Sequence, residues 1–194
     1  MARLTLLSVH AALFYCPGDR LSLAELGAAR LDGDVVEVGE GFMPADTIET
    51  SAARALSLSP LVPATMAATG ATAAWVHGAG DRPPAVHHFC RTQPQRLRVM
   101  PHRRMTCHDR VLDEDEVELL SGVAVTTPLA TATTLLFGAT TNPSDEAWLR
   151  ALLRTDPGLL TRLSEHLTPF RPRPGKRKAE KLLAALLAQE VVTR

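Results

Sequence analysis

His87, His88, Cys90, His102, Cys107 and His108 crowd into one short stretch, and a set of that kind suggests zinc. Zinc takes four ligands, usually offered as rigid local pairs such as Cys-x-x-Cys. No such pair is present. His88 and Cys90 stand two apart, as do Met105 and Cys107, and Cys90 meets Cys107 only if their strands are neighbours. Arg91, Arg96, Arg98, Arg103 and Arg104 would repel a dication placed among them. The expectation is ordinary half-buried strand residues and no metal. Cys107 beside His108 has the makings of a thiol nucleophile and its base. Adjacent residues of a strand point to opposite faces, however, so the pair does not hydrogen-bond. Gly78-Ala79-Gly80 is a turn without the strand–helix setting of a dinucleotide fingerprint. There is no Gly-rich phosphate loop and no Ser–His–Asp grouping. The residues predict a protein that is not an enzyme and takes no cofactor.

Cations make a stronger pattern. Residues 91–110 hold Arg91, Arg96, Arg98, Arg103, Arg104 and Arg110 against Asp109 alone. Residues 171–181 hold Arg171, Arg173, Lys176, Arg177, Lys178 and Lys181 against Glu180 alone. On a strand Arg96 and Arg98 share a face, and on a helix Arg177 and Lys181 align. The two runs suit a surface that tracks phosphates, with arginine able to bind a phosphate through two hydrogen bonds. They suit equally a solvated surface, or one neutralised by the Asp113–Glu118 run and by the acidic N-terminal part.

That acidity is pronounced. Over residues 1–60 eight carboxylates face four arginines, although the whole chain of 194 residues has a formal net charge of zero. No global field therefore draws the protein to DNA or to anionic lipid. Aromatic residues make up 4% of the chain, too few for a platform that stacks single-stranded bases. Three cysteines do not make a disulfide framework and fit a reducing cytoplasm. The apolar Leu4–Cys16 segment is interrupted by His10, and no small-residue cleavage site follows it. No run is long enough to span a membrane. Cytoplasmic localisation is expected.

The elements that must position these residues follow from periodicity. Leu4, Leu7, Ala11 and Phe14 recur at helical spacing. Ser22 and Glu25 form a capping box for a helix from about Leu23 to Asp32–Gly33. Val35–Val38, a Gly39–Glu40–Gly41 turn and Phe42–Met43 read as a hairpin. Thr50–Leu58 reads as a helix, and the Ala- and Thr-rich Thr65–Val76 reads as a buried one, with Trp75 as its core anchor. Val86–Cys90, Arg96–Met100, Arg103–Cys107 and Val123–Val125 read as strands, with Asp113–Glu118 as an acidic turn. Thr127 caps a helix with Pro128 in its first turn. Residues 142–194 read as helices, the last over Lys176–Val192 after a basic 171–178 loop.

Four segments carry a resemblance: LSLAELGAARLDGDVVEVGEGFM at 21–43, AAWVHGAG at 73–80 followed by DRPP, GVAVTTPLATATTLL at 122–136, and PGKRKAEKLL at 174–183. In this order they resemble the AbiEi-like family of type IV toxin–antitoxin antitoxins and related actinobacterial transcriptional regulators. The resemblance implies a winged-helix N-terminal part and an α/β second domain. It also implies repression of the protein's own operon and a nucleotidyltransferase toxin to counter. The chain departs from the family in two places. One helix stands between Pro17 and the hairpin, not a support helix and a separate recognition helix. The wing carries Asp34, Glu37 and Glu40 where basic residues are expected. Carboxylates there cost affinity for phosphates.

The sequence thus predicts an α+β fold: a degenerate winged-helix-like head over 1–60, then a mixed domain over 61–194 with a short sheet and C-terminal helices. Two functions fit it. The first is a non-enzymatic DNA-binding regulator of AbiEi type, touching promoter DNA through Arg96, Arg98, Arg103, Arg104, Arg171, Arg173, Lys176, Arg177, Lys178 and Lys181. The second is a protein-interaction module whose Asp34, Glu37 and Glu40 dock on a basic partner. The toxin or another protein is the expected partner, and no membrane is.

Overall fold

The structure, a computed structural model, describes residues 14–95, 103–167 and 174–193. The expected Leu4–Phe14 helix and Arg96–Met100 strand lie outside them, but for Phe14. The fold is α+β. Its head holds α1 (Leu23–Asp32), β1 (Val35–Val38), β2 (Gly41–Pro44) and α2 (Ser51–Ser57). Both halves of the Ser22–Glu25 capping box form, and Gly33 closes α1 in the left-handed conformation with φ 85°. β1 and β2 pair antiparallel with Val38 opposite Gly41, leaving Gly39 and Glu40 as a two-residue turn. Tyr15 and Phe42 exchange backbone hydrogen bonds of 2.8 and 2.9 Å, which adds a third short extended segment beside β2. This is a helix leading into a wing-like hairpin.

The second part is built on a five-stranded mixed sheet of order β5-β4-β3-β7-β6. Its strands are β3 (Met66–Ala68), β4 (His87–Arg91), β5 (Met105–Val111), β6 (Val117–Leu120) and β7 (Val123–Thr126). Helix α3 (Gly70–Val76) links the antiparallel β3 and β4. Helices α4 (Pro128–Gly138), α5 (Pro143–Thr155), α6 (Leu159–Leu167) and α7 (Lys176–Thr193) follow.

Thr65–Val76 is not one helix. Met66–Ala68 is the central strand of the sheet, and only Gly70–Val76 is helical. Thr69 is extended and Gly70 takes φ 55°, a combination that separates strand from helix. Alanine favours helices, but the middle of a closely packed sheet wants small side chains, and packing overrides propensity there. The acidic run is also more than a turn. Glu114–Glu116 forms a 3-10 turn, and Glu118 already lies in β6.

One core runs through both parts. Val38, Met43, Ala53 and Leu58 of the head cluster with Met66, Trp75, Phe89, Val123 and Val125 of the sheet region. Burying a side chain such as Phe89 stabilises the fold by up to about 3 kcal/mol. A second cluster joins Leu135, Leu136, Leu149, Leu152, Leu159 and Leu163 of the helical layer to Ala179, Leu183 and Leu186 of α7. Ala179, Leu183 and Leu186 follow the 3.6-residue period, so the other side of α7 faces solvent.

Candidate functional site

The hairpin tip is not free. Gly39 has φ 57°, and a Cβ built there would lie 2.1 Å from Ser57 Oγ and 3.0 Å from the Trp75 ring. The turn is pressed onto α2 and α3. Glu40 points across to the sheet, where Arg104 donates to both its carboxylate oxygens at 3.1 and 2.5 Å. Its Oε1 is also 3.6 Å from the Nε2 of His87, whose side chain is wholly buried. Burial holds the His87 imidazole below its usual range, although the Glu40 charge pulls the other way. A wing that reads DNA needs its tip in a groove or on phosphates. This tip is half-buried against the rest of the protein.

Three of the four described arginines of the first run are paired within the chain. Arg104 holds Glu40, Arg110 pairs with Glu116, and Arg91 pairs with Asp109 at 3.1 Å. Arg103 is exposed. Arg96 and Arg98 lie outside the described residues. Of the head carboxylates, Asp34 and Glu37 are exposed. Glu37, Glu49, Asp81, Arg82 and Arg104 rim a cleft of about 400 Å³ with Trp75 in its wall.

The histidines and cysteines do not gather into a metal centre. Among the described residues no group of three His, Cys, Asp or Glu side chains is placed to hold a metal ion. His102 lies outside them. His88 and His108 stack with ring centroids 5.2 Å apart, and Nδ1 of His88 lies 3.0 Å from Nε2 of His108. Burial lowers both imidazoles below their ordinary value. Asp145, at the start of α5, acts on His108 and is itself raised by burial. Burial also pushes the Cys107 and Cys90 thiols up, so neither is poised as a thiolate nucleophile.

The second basic run is arranged differently. Helix α7 begins at Lys176, as the expected Lys176–Val192 helix does, so Lys176, Arg177 and Lys178 occupy its first turn. No acidic residue shares that turn. The first intrahelical bond runs from Ala179 N–H to the Gly175 carbonyl, so Gly175 stands at the cap position, where it has no side chain to accept from the early N–H groups. Lys176 lies 3.6 Å from Glu180. Arg177, Lys178 and Lys181 are exposed, opposite the buried Ala179 and Leu183, and enter no ion pair among the described residues. Arg171 and Arg173 lie outside the described residues. Lys176, Arg177, Lys178 and the acidic Glu180 line a cleft of about 750 Å³ together with Phe137, Thr140 and Thr141 at the end of α4. The threonine hydroxyls donate back to the Phe137 and Gly138 carbonyls at 2.8 and 3.1 Å. Sequence reading missed both threonines, because nothing local ties the end of α4 to the start of α7.

Three cations at the positive end of a helix are an electrostatically costly arrangement. The helix dipole favours acids there, by about 0.3–1 kcal/mol for each charge. A helix N-terminus of this charge is a setting in which an anion would relieve the repulsion and accept from the free N–H groups.

Residues 66–183, more than half of the chain, match the family model described as the AbiEi antitoxin C-terminal domain. The match starts at β3 and ends within α7. No curated protein matches the chain. None of the described helices is long and apolar enough to cross a membrane.

Proposed function

The chain belongs to the AbiEi antitoxin family, and from that premise we propose that it is a non-enzymatic regulator that binds promoter DNA through the phosphate backbone. The observation that carries this reading is the first turn of α7. Arg177 and Lys178 are exposed there, and Lys176 pairs with Glu180 one position beyond the turn. No acid shares the turn itself, at the helix end whose N–H groups attract anions. Lys181 extends the cationic face by one turn. A backbone phosphate matches this chemistry: it accepts hydrogen bonds from the N–H groups and offsets the clustered charge.

The hairpin has no such role in this reading, since its tip is docked and its free side chains are Asp34 and Glu37. Arg103 is exposed and adds a cation at the start of β5, whereas Arg104 would have to release Glu40 first. Contact through phosphates sets affinity and leaves sequence choice to other residues. The toxin of the pair is the expected second partner, encoded beside the regulator.

The experiment is a salt titration of binding to the DNA upstream of the protein's own reading frame. Each phosphate neutralised contributes about 0.9 to the slope of log K against log salt. Arg177→Ala with Lys178→Ala should weaken binding at low salt and flatten that slope by close to two such increments. An unchanged slope removes α7 from the interface.

A further inference from the structure

Helix α1 has two apolar faces. Leu26 is buried and Ala29 half-buried on the inward side, against Val35 and Phe42. At 100° per residue, Leu23, Gly27, Leu31, Ala24 and Ala28 fall together on another arc of about 140°. That arc holds no charged or hydrogen-bonding side chain. Leu23 is 65% exposed and Leu31 82% exposed. A Cβ added at Gly27 would meet nothing within 4 Å, so the backbone itself is open to close approach between the two leucines.

In a winged-helix head, the helix before the hairpin is the one placed to read DNA. Reading base edges takes Arg, Lys, Asn, Gln or Ser at the contact face. This arc offers leucine, alanine and glycine. Single exposed leucines are common on surfaces, but a continuous apolar arc on one helix is the form of a docking face.

The charges around it select the occupant. Asp32 and Glu25 border the arc beyond Ala28, and Asp34 lies just past the Gly33 cap. Arg30 borders the opposite edge beside Leu23. The described head carries eight carboxylates against Arg20, Arg30 and Arg54, and Arg54 is held by Glu49 at 2.5 Å. A second copy would bring two acidic heads together, and an anionic membrane would be repelled.

We infer that the outward face of α1 is a docking surface for an amphipathic helix of another protein, one whose apolar side is flanked by lysine or arginine. Apolar side chains of the partner cover Leu23 and Leu31, its helix approaches over Gly27, and its cations meet Asp32 and Asp34. Helix-on-helix recognition of this kind reads anchors at i and i+3 or i+4. The surface does not depend on α7 or on DNA, and it stands or falls separately from that reading.

The test uses the full chain and a labelled synthetic amphipathic helix of leucine and lysine, followed by fluorescence anisotropy. The expected result is saturable binding that falls at least tenfold for the Leu23→Ser, Leu31→Ser double variant. A leucine and glutamate peptide of the same pattern should not bind. Circular dichroism and DNA affinity of the variant, both expected to match the parent, show that the fold and the α7 surface are intact. Equal binding by parent and variant, equal binding of both peptides, or no binding of the lysine peptide overturns the inference. Sedimentation supplies the remaining outcome. A dimer of the parent that dissociates in the double variant gives the face to a second copy and overturns it as well.

Discussion

Arg104 grips both carboxylate oxygens of Glu40 across 64 positions of sequence, and so ties the hairpin tip to the start of the sheet's edge strand β5. The side chain of Glu40 is 18% exposed and that of Arg104 48%. The pair is a fork on a carboxylate, the stronger kind of ion pair, but half of it faces water, which screens it. In a double-mutant cycle with Glu40→Gln and Arg104→Ala, we expect a coupling of about 1 kcal/mol. Urea unfolding of the four proteins measures it, and a coupling near zero would show that apolar packing alone seats the tip.

Two glycines with positive φ should respond unequally to alanine. Gly33 (φ 85°) has nothing within 4 Å of its added Cβ, whereas Gly39 (φ 57°) meets Ser57 and Trp75. Gly33→Ala should cost roughly 1 kcal/mol, the backbone term alone. Gly39→Ala adds overpacking and should cost about 3 kcal/mol. Comparable unfolding midpoints for the two variants would contradict the burial of the turn.

Stability should fall on the acid side of neutrality. His87, His88 and His108 are all held below the ordinary value of 6.5, chiefly by burial. The unfolded chain therefore binds more protons than the native one below that value, and unfolding free energy rises with pH there. The contribution is complete above about pH 6.5 and is lost as pH drops through the lowered native values. Asp145 has the opposite sign. Its raised carboxyl favours the fold below the ordinary 3.8 and loses that contribution as pH climbs through its native value. A urea midpoint that is flat from about pH 8 to about pH 5 would refute the histidine account.

Arg177→Glu and Lys178→Glu set stability against function. Each puts an acid where the α7 dipole favours one and removes a repelling cation, so each should stabilise the chain by about 0.5–1 kcal/mol. The same changes should sharply reduce DNA affinity. Thermal melts and binding isotherms on the same samples check both halves. A variant that loses stability would mean the arginine or lysine is engaged in the native protein.

Much of the frame was legible because it is written locally. The Ser22–Glu25 box, the glycine turn after Val38 and the Thr127–Pro128 start each depend on neighbours within a few residues, and each forms where expected. Met66–Ala68 was misread because short apolar runs of small residues suit a buried helix and a central strand alike. The arginine run at 91–110 was partly legible. The Asp113–Glu118 run lay near enough in sequence to neutralise it, and Glu116 does pair with Arg110, whereas Glu40 meets Arg104 only after the chain has folded. The α7 turn was half legible: the cations and the helix start at Lys176 were plain, but setting them beside Thr140 and Thr141 needed the tertiary structure.

The seating of Gly39 against Trp75 has a mechanical side. A head joined to its neighbour by a slack tether could swivel and sample orientations on its own. This one has its hairpin wedged under an indole that belongs to the sheet region's own core. Torque applied to α1 by anything that grips it reaches the wedge, and with it β4, which begins at His87, and β5, which begins just after Arg104.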